Sequence, residues 1–317
     1  MKSWKTCWIG FFIFTLALTG CSSPGGEPAK ENGKLTVYTS FYPLADFAGK
    51  IGGKHVKVKN LVPAGAEPHD YEPTARDLTA LSDADLFIYN GAGLEPWLDK
   101  VKPMLEDGDV TVLNASAKLD LLSVDKGKHG HEDGHDHGDK DPHVWLNPIK
   151  AKQQAEAIKD AFVKKDPKHK NDYEANYASL ADQFDQLDQK FAEIVKKGDK
   201  KTFITSHSAF GYLANRYELT QVAVSGISPS DEPSARKLRE VVQLARKHKV
   251  DYVYFETLVS GKVAETVRKE VGARPLTLNP LEGLTKAQEA KGEDYFSIME
   301  QNANNLAKGL GSNQAGK

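Results

Sequence analysis

The segment Asp85-Leu86-Phe87-Ile88-Tyr89-Asn90 decides the fold class of this chain, because its four central residues are all large and apolar. Gly91 and Gly93 close the run on its C-terminal side. A short apolar run without alternation is typical of a strand that is buried on both faces, as the strands of a parallel sheet are. The sequence therefore predicts a parallel sheet that is covered by helices on both sides.

Strand and helix patterns alternate on either side of this segment. We predict further strands at residues 35–40, 55–62, 110–113, 202–205, 221–224, 252–255 and 275–278, and helices at residues 43–50, 74–82, 148–164, 173–194, 234–249 and 294–310. Asp231 or Ser230 is the expected cap of the helix at 234–249. Such alternation favours an α/β fold with open, mostly parallel sheets. A length of 317 residues favours two lobes.

The longest periodic signal predicts one long helix. Its apolar residues are spaced alternately by four and three positions, which keeps them on one face; they are Tyr173, Tyr177, Leu180, Phe184, Leu187, Phe191 and Ile194. A coiled coil is the alternative, but the pattern covers only about three heptads. We therefore expect a long helix of about 30 Å or more that lies across a domain. The expected division is a first α/β lobe over 34–148, a helical region over 149–198 and a second α/β lobe over 199–312.

The N-terminus has the layout of a bacterial lipoprotein signal. Lys2 and Lys5 precede an apolar run over 8–18, which is short for a transmembrane helix. The run ends in Leu18-Thr19-Gly20-Cys21, which resembles a lipobox, in which the cysteine receives the lipid. We expect a signal peptide over 1–20, lipidation of Cys21 and a flexible tether over 21–33. A plain signal peptide or an N-terminal membrane anchor are the alternatives.

This N-terminus implies a protein anchored by lipid on the extracytoplasmic face of a bacterial cell membrane. Cys7 leaves with the signal and Cys21 is lipidated, so a metal site must use histidines and carboxylates rather than thiolates. The formal net charge is −2 and becomes −4 when the two signal-peptide lysines are removed. A nucleic-acid-binding protein usually carries a strong basic surplus, so we expect no nucleic-acid partner.

Four polar segments follow predicted strands or precede a predicted helix, and each carries one candidate ligand. The segments are residues 63–74 with His69, 141–148 with His143, 206–210 with His207 and 279–284 with Glu282. A single histidine in a loop is usually an ordinary surface residue. Loops at the ends of parallel strands line a cleft, however, so several such histidines favour a shared site. Imidazole nitrogens bind Zn²⁺, and one carboxylate can complete a tetrahedron.

These segments resemble those of the solute-binding proteins of metal ABC importers (cluster A-I, or cluster 9), especially the zinc-specific ZnuA/AdcA-type branch. The resemblance covers nearly the whole chain after the signal peptide. It is carried by Pro68-His69-Asp70-Tyr71-Glu72-Pro73, Gly93-Leu94-Glu95-Pro96-Trp97-Leu98, Asp141-Pro142-His143-Val144-Trp145-Leu146-Asn147-Pro148, His207-Ser208-Ala209-Phe210-Gly211-Tyr212 and Asn279-Pro280-Leu281-Glu282-Gly283-Leu284. No single motif would be specific, but together they are.

The resemblance implies a two-lobed zinc-binding protein that delivers Zn²⁺ to a membrane permease. It implies that His69 and His143 of the first lobe and His207 of the second bind the metal. It also implies that the fourth ligand is a carboxylate or water. Glu282 is the expected fourth ligand; Glu256 is the alternative, or a residue that orients a ligand. Manganese-binding relatives have two histidines and two carboxylates, so a third histidine favours zinc. We expect a monomer without enzymatic activity, whose metal affinity falls below about pH 6.5 as the imidazoles protonate.

A polar stretch over residues 125–141 carries four further histidines, namely His129, His131, His135 and His137. It is either an auxiliary loop that gathers zinc near the cleft or a solvated loop that binds metal incidentally. Three other functions compete with zinc delivery. They are manganese import, adhesion by a surface lipoprotein, and zinc-dependent hydrolysis with Glu256 or Glu282 as the base. The chain lacks the His-Glu-x-x-His helix of many zinc hydrolases, because its one match to that pattern, at residues 131–135, falls within this polar loop.

Overall fold

The computed structural model of this chain describes Met1, residues 33–124 and residues 139–312. The chain divides after Gly33, and the unit that begins at Lys34 is compact. The expected signal peptide and tether, with Cys21, lie outside the described residues, apart from Met1 and Gly33, and so do the loop histidines His129, His131, His135 and His137. Among the helices that the structure describes, none has the length and apolar character needed to cross a membrane.

The first lobe is built on a four-stranded parallel sheet in the order β2-β1-β3-β4. Its elements in chain order are β1 (Leu35–Thr39), α1 (Tyr42–Gly52), β2 (Val56–Asn60), α2 (Ala75–Ser82), β3 (Leu86–Tyr89), α3 (Leu98–Glu106) and β4 (Thr111–Asn114). Two helices follow, α4 (Pro148–Lys165) and the long α5 (Lys170–Lys197). The first prediction is confirmed within β3: Leu86 and Ile88 pack into one core and Phe87 into another on the opposite face.

The second lobe repeats this topology with a parallel sheet in the order β6-β5-β7-β8. Its elements are β5 (Thr202–Thr205), α6 (Gly211–Arg216), β6 (Thr220–Ala223), α7 (Ala235–Lys247), β7 (Tyr252–Phe255), α8 (Lys262–Val271), β8 (Arg274–Thr277), α9 (Lys286–Lys291) and α10 (Tyr295–Leu310). The predicted α/β class, with two parallel sheets and a long helix between them, is confirmed. The structure does not show the coiled coil that was the alternative for α5. This helix packs instead against three other helices of the same chain, α1, α4 and α10.

Two details differ from the sequence-based expectations. The cap of α7 is Ser234, whose hydroxyl accepts from the backbone N–H of Lys237, so the expected cap at Asp231 or Ser230 is wrong. Asp231 instead accepts from the N–H of Ser228 and fixes the preceding loop. The helices α3, α6, α8 and α9 had no predicted counterpart. They are only six to ten residues long, so each offers few turns over which a helical period can show in the sequence.

One continuous apolar core joins the two lobes along α5. Phe184 of α5 packs edge-on against Phe47 of α1, with ring centroids 5.3 Å apart, and lies 5.6 Å from the ring of Tyr295 in α10. All three side chains are fully buried. Burying each one contributes about 1.5–3 kcal/mol, so separating the lobes here would be costly. The shared core therefore fixes the distance between the loops at the carboxyl ends of the two sheets.

Candidate metal centre

Four buried side chains converge where loops of the two lobes meet. The Nε2 atoms of His69, His143 and His207 and a carboxylate oxygen of Glu282 all lie within 4.8 Å of one another. Nε2 of His143 is 3.3 Å from that of His69 and 3.4 Å from that of His207. Oε1 of Glu282 is 3.1 Å from Nε2 of His143 and of His207, and 3.5 Å from Nε2 of His69. The structure thus brings together the four residues that the sequence singled out.

The spacing of these donor atoms fits a small tetrahedral ion. A metal–nitrogen distance of about 2.0–2.1 Å, as for Zn²⁺, requires tetrahedral donors about 3.3–3.4 Å apart. The contacts described above fall at 3.1–3.5 Å. Each of the four residues is at most 3% exposed, so an ion held here would be shielded from water. A set of three imidazoles and one carboxylate suits Zn²⁺ better than an oxygen-seeking ion such as Mn²⁺.

His69 sits in a short turn that Pro68 begins. The turn, Pro68–Asp70, is a single 3-10 turn in the loop between β2 and α2. Proline suits its first position because the ring presets φ and no N–H is needed there. A carboxyl oxygen of Glu67 accepts from the backbone N–H of His69 at 3.2 Å. The loop therefore presents the imidazole from a stiff support.

His143 is oriented by Asp141, two residues before it. Oδ1 of Asp141 accepts from the backbone N–H of His143 at 2.9 Å and lies 2.8 Å from its Nδ1. A proton on Nδ1 facing this carboxylate leaves the lone pair of Nε2 directed into the site. Asn90, at the end of β3, donates to the carbonyl of Pro142 at 2.9 Å and holds the segment from behind.

His207 is supported by Glu256, which follows β7. Oε1 of Glu256 accepts from the backbone N–H of His207 at 2.9 Å, and Oε2 lies 2.7 Å from Nδ1. The second contact is short, although the ring N–H is not aimed straight at the oxygen. Glu256 therefore lies behind the imidazole. It is outside the four-donor group, which consists of His69, His143, His207 and Glu282. This position matches an orienting residue rather than the alternative fourth ligand.

Glu282 follows a strained backbone position. Leu281 is fully buried and has φ +57°, in the left-handed region that residues with a branched side chain rarely adopt. Its backbone N–H donates to Oδ1 of Asn279 at 2.8 Å. This turn after β8 sends the Glu282 carboxylate back towards the three imidazoles.

The charges of the metal-free site are strongly coupled. Burial by itself lowers the pKa of His207, but the carboxylates of Glu256 and Glu282 outweigh burial and hold that pKa well above its ordinary value. Burial likewise opposes the charge of His143, yet hydrogen bonds to Asp141 and Glu282 raise its pKa. Burial lowers the pKa of His69. Without metal, Glu282 is therefore a buried anion balanced by protonated imidazole.

The pKa of Glu282 is consistent with that balance. Burial raises it, but attraction to His207 and hydrogen bonds from the three histidines hold it well below its ordinary value. Glu67 shows the opposite behaviour, since burial and repulsion by Glu282 raise its pKa to about 9. Glu67 is therefore protonated at neutral pH and does not add a second negative charge next to Glu282.

We predict that metal affinity falls as the pH is lowered, beginning above the expected value of about 6.5. Protons on His143 and His207 compete with the metal, and both pKa values are raised. The folding stability of the metal-free protein has the opposite pH dependence. The stabilisation from a raised histidine pKa is full below about pH 6.5 and is lost as the pH rises through the folded-state pKa. Titration calorimetry at pH 7 in buffers of different ionisation enthalpy should show proton release on metal binding. Uptake or no exchange of protons would contradict the prediction.

The supporting acids Glu67 and Asp141 were not identified from the sequence. A signal existed, because Glu67-Pro68-His69 and Asp141-Pro142-His143 share an acid-Pro-His pattern. In both, the acid accepts from the backbone N–H of the histidine two residues later. The repeat therefore marks a common local structure that presents an imidazole.

Comparison with known proteins places this chain among metal-binding proteins. The family described as zinc-uptake complex component A, periplasmic (ZnuA), matches residues 37–309. The high-affinity zinc uptake system protein ZnuA of Bacillus subtilis is 39% identical over 311 residues, which cover 96% of this chain and 98% of that protein. The chain spans 58% of the length of the zinc-binding lipoprotein AdcA of Streptococcus pneumoniae, with 39% identity over 294 residues.

Solved structures agree with the fold. The Zn(II)-bound ZnuA-like domain of Streptococcus pneumoniae AdcA is similar with a TM-score of 0.75 at 38% identity, covering 88% of this chain and 99% of that domain. The laminin-binding protein Lmb of Streptococcus agalactiae, described as a bifunctional protein with adhesin and metal-transporting activity, is similar with a TM-score of 0.78 at 32% identity. That alignment covers 87% of this chain and 99% of Lmb.

Proposed function

This chain belongs to the ZnuA family of zinc-uptake components, and on that premise we propose that it captures Zn²⁺ outside the cytoplasm and delivers it to the permease of an ABC importer. One observation carries the proposal: among three imidazole nitrogens and one carboxylate oxygen, five of the six donor–donor distances are 3.1–3.5 Å, close to those of a tetrahedral zinc shell, and all six are within 4.8 Å. The ion is cargo, so the site must bind it tightly and still release it.

We propose His69, His143, His207 and Glu282 as the four zinc ligands. Asp141 and Glu256 support this assignment, because each faces the Nδ1 atom of one histidine and leaves its Nε2 for the metal. A site with four protein donors holds a structural or cargo ion, whereas a zinc hydrolase keeps one position open for water. The arrangement therefore supports transport over hydrolysis. Manganese would prefer more oxygen donors than this set offers.

We further propose that the mature protein begins at a lipidated Cys21 and functions as a monomer on the outer face of the cell membrane. The lipobox-like sequence 18–21 and a lipoprotein relative support the anchor. The proposed division keeps a signal peptide over 1–20, a tether over 21–33, lobes over 34–148 and 199–312, and a helical region over 149–198. Adhesion remains the alternative that the described function of Lmb suggests.

The His-rich stretch within residues 125–141 is proposed to gather zinc near the site. Its flanks support this location: Ser123 pairs with Lys140 in an antiparallel bridge, directly before the Asp141 that supports His143. The stretch is therefore attached next to a ligand-bearing segment. We propose that it raises the local zinc concentration and is not needed for the tight site.

A competitive titration tests the proposed function and the role of the loop together. Wild-type protein and a variant without residues 128–139 are stripped of metal and titrated with Zn²⁺ against a chelator, with and without Mn²⁺. We expect one tight zinc site in both proteins, with a Kd in the nanomolar range or below (about −12 kcal/mol), and no displacement by equimolar Mn²⁺. Preference for Mn²⁺ in the wild type would overturn the zinc assignment. Loss of the tight site in the deletion variant would overturn the auxiliary role of the loop.

A further inference from the structure

We propose that Trp145 and Asn302 are positioning residues that hold Glu282, the oxygen donor of the four-donor group, at tetrahedral distance from the three imidazoles, and that they thereby set the preference for Zn²⁺. The inference rests on the proposed function, because it concerns the geometry of the same site. Neither residue contributes a donor to the site. Both act through the backbone of the segment Asn279–Glu282.

Trp145 links the two ligand-bearing segments of different lobes by one hydrogen bond. Its indole Nε1–H donates to the carbonyl of Pro280 at 2.7 Å, and both groups are buried. Trp145 lies two residues after His143, and Pro280 lies two residues before Glu282. The bond therefore sets the separation between the His143 segment and the Glu282 segment.

The indole itself is held firmly. The Phe41 ring packs edge-on against it at 4.6 Å, and the hydroxyl of Tyr295 in α10 donates to the carbonyl of Trp145 at 2.6 Å. Trp145 is fully buried. Because the indole of Trp145 can hardly move, its hydrogen bond fixes the Glu282 segment relative to the His143 segment.

Asn302 holds the other end of the Glu282 segment. Asn302 lies on α10. Its Oδ1 accepts a hydrogen bond from the backbone N–H of Asn279 at 2.8 Å, and its Nδ2 donates to the carbonyl of Asn279 at 2.7 Å. One side chain thus pairs both backbone groups of a residue that is no longer part of β8. Asn302 is only 2% exposed, so water does not readily replace these bonds.

The strain at Leu281 explains why such anchors are needed. A buried leucine at φ +57° persists only where the surroundings over-determine the backbone. Asn302 fixes Asn279, and Trp145 fixes Pro280, immediately before the strained residue. Without an anchor, Leu281 is expected to relax and to carry Glu282 away from its present place.

Movement of Glu282 should affect metals unequally. Three imidazoles remain, but a displaced carboxylate no longer completes a compact tetrahedron. A carboxylate that can rotate is able to offer both oxygens, which raises the coordination number and favours ions such as Mn²⁺. The anchors therefore bear on selectivity as well as affinity.

The test compares two variants with two matched controls in the mature full-length protein. Trp145→Phe removes the indole donor and keeps an aromatic ring; its control, Tyr254→Phe, removes a donor to the carbonyl of Asn305 in α10, outside the four-donor group. Asn302→Ala removes the clamp; its control is Asn305→Ala, on the same helix, whose Nδ2 donates to the carbonyl of Thr277 in β8. Each protein is titrated with Zn²⁺ and Mn²⁺, and its Co²⁺ complex is examined by visible absorption.

We expect Trp145→Phe and Asn302→Ala to lower zinc affinity by about 10- to 100-fold, as is typical when groups supporting metal ligands are removed. The ratio of zinc to manganese affinity should fall, and the intense visible bands of tetrahedral Co²⁺ should weaken. The controls should change zinc affinity by less than about threefold. If one of the two variants fails to fold, the other with its control decides the question.

Wild-type affinity and spectrum in both variants would overturn the positioning role while leaving the proposed function intact. Equal losses in variants and controls would also overturn it, since the effect would then be one of general stability. Failure of the wild-type protein itself to bind zinc would instead overturn the proposed function.

Discussion

Replacing His143 with alanine is expected to weaken zinc binding by about 10²- to 10³-fold. Its Nε2 lies within 3.4 Å of the donor atoms of His69, His207 and Glu282, so it touches every other member of the group. Zinc sites with four donors bind with about 10–16 kcal/mol, so one donor contributes on the order of 3–4 kcal/mol. Titration against a chelator of known affinity measures the loss.

His248→Ala is the matched control for this substitution. His248 is exposed directly after α7, outside the four-donor group, so its removal should leave zinc affinity unchanged. The circular dichroism spectrum should show that His143→Ala keeps its fold. Tight zinc binding by a folded His143→Ala protein would remove this histidine from the site.

Saturating zinc is expected to raise the melting temperature by on the order of 10 °C. Zinc at about 1,000 times its Kd stabilises the folded state by about 4.1 kcal/mol, provided that the unfolded chain does not bind it. Each kcal/mol corresponds to about 2–4 °C in a chain of this size class. Zinc also replaces the protons that balance the buried Glu282 carboxylate. Differential scanning calorimetry of stripped and zinc-loaded protein measures the shift.

Two comparisons make this thermal shift specific. The loop-deleted variant should keep the shift, because its tight site is intact, whereas His143→Ala should lose most of it. Mn²⁺ at the same concentration should produce a smaller shift than Zn²⁺. A shift of similar size in His143→Ala would show that zinc stabilises the protein from another place.

The sequence predicted where the helices and strands lie better than it predicted which of them pack against each other. The uninterrupted run at β3 and the apolar stripe of α5 follow from local periodicity, which a sequence displays directly. Periodicity gives the buried face of an element but not what covers it. That Phe184 of α5 contacts Phe47 of the first lobe and Tyr295 of the second could not be predicted for this reason.

The candidate site shows a similar limit. Its four side chains could be singled out because they follow strands or lie in proline-bounded turns. Strand position alone does not decide between the expected ligand Glu282 and its alternative Glu256, because the two residues follow neighbouring strands, β8 and β7, of the same sheet. The structure separates them through the left-handed turn at Leu281, which directs Glu282 into the site. A leucine does not favour a positive φ, so the sequence could not predict that conformation.

Hydrogen bonds between the lobes attach the His143 segment, which was expected to belong to the first lobe, to residues of the second lobe. His143 precedes α4 in the chain, yet its segment is tied to the second lobe. Tyr212 of α6 donates to the carbonyl of Asp141 at 2.7 Å, and Trp145 donates to Pro280. Buried bonds of this kind pre-organise ligands and reduce the cost of ordering them when the ion arrives.

X-ray absorption at the zinc edge tests the central claim most directly. The sample is the variant without residues 128–139, loaded with one equivalent of Zn²⁺, so that the loop histidines do not contribute. The account predicts four light donors at about 2.0–2.1 Å, with the outer-shell scattering of three imidazoles. A six-coordinate shell rich in oxygen, or one with fewer than three imidazoles, would contradict it.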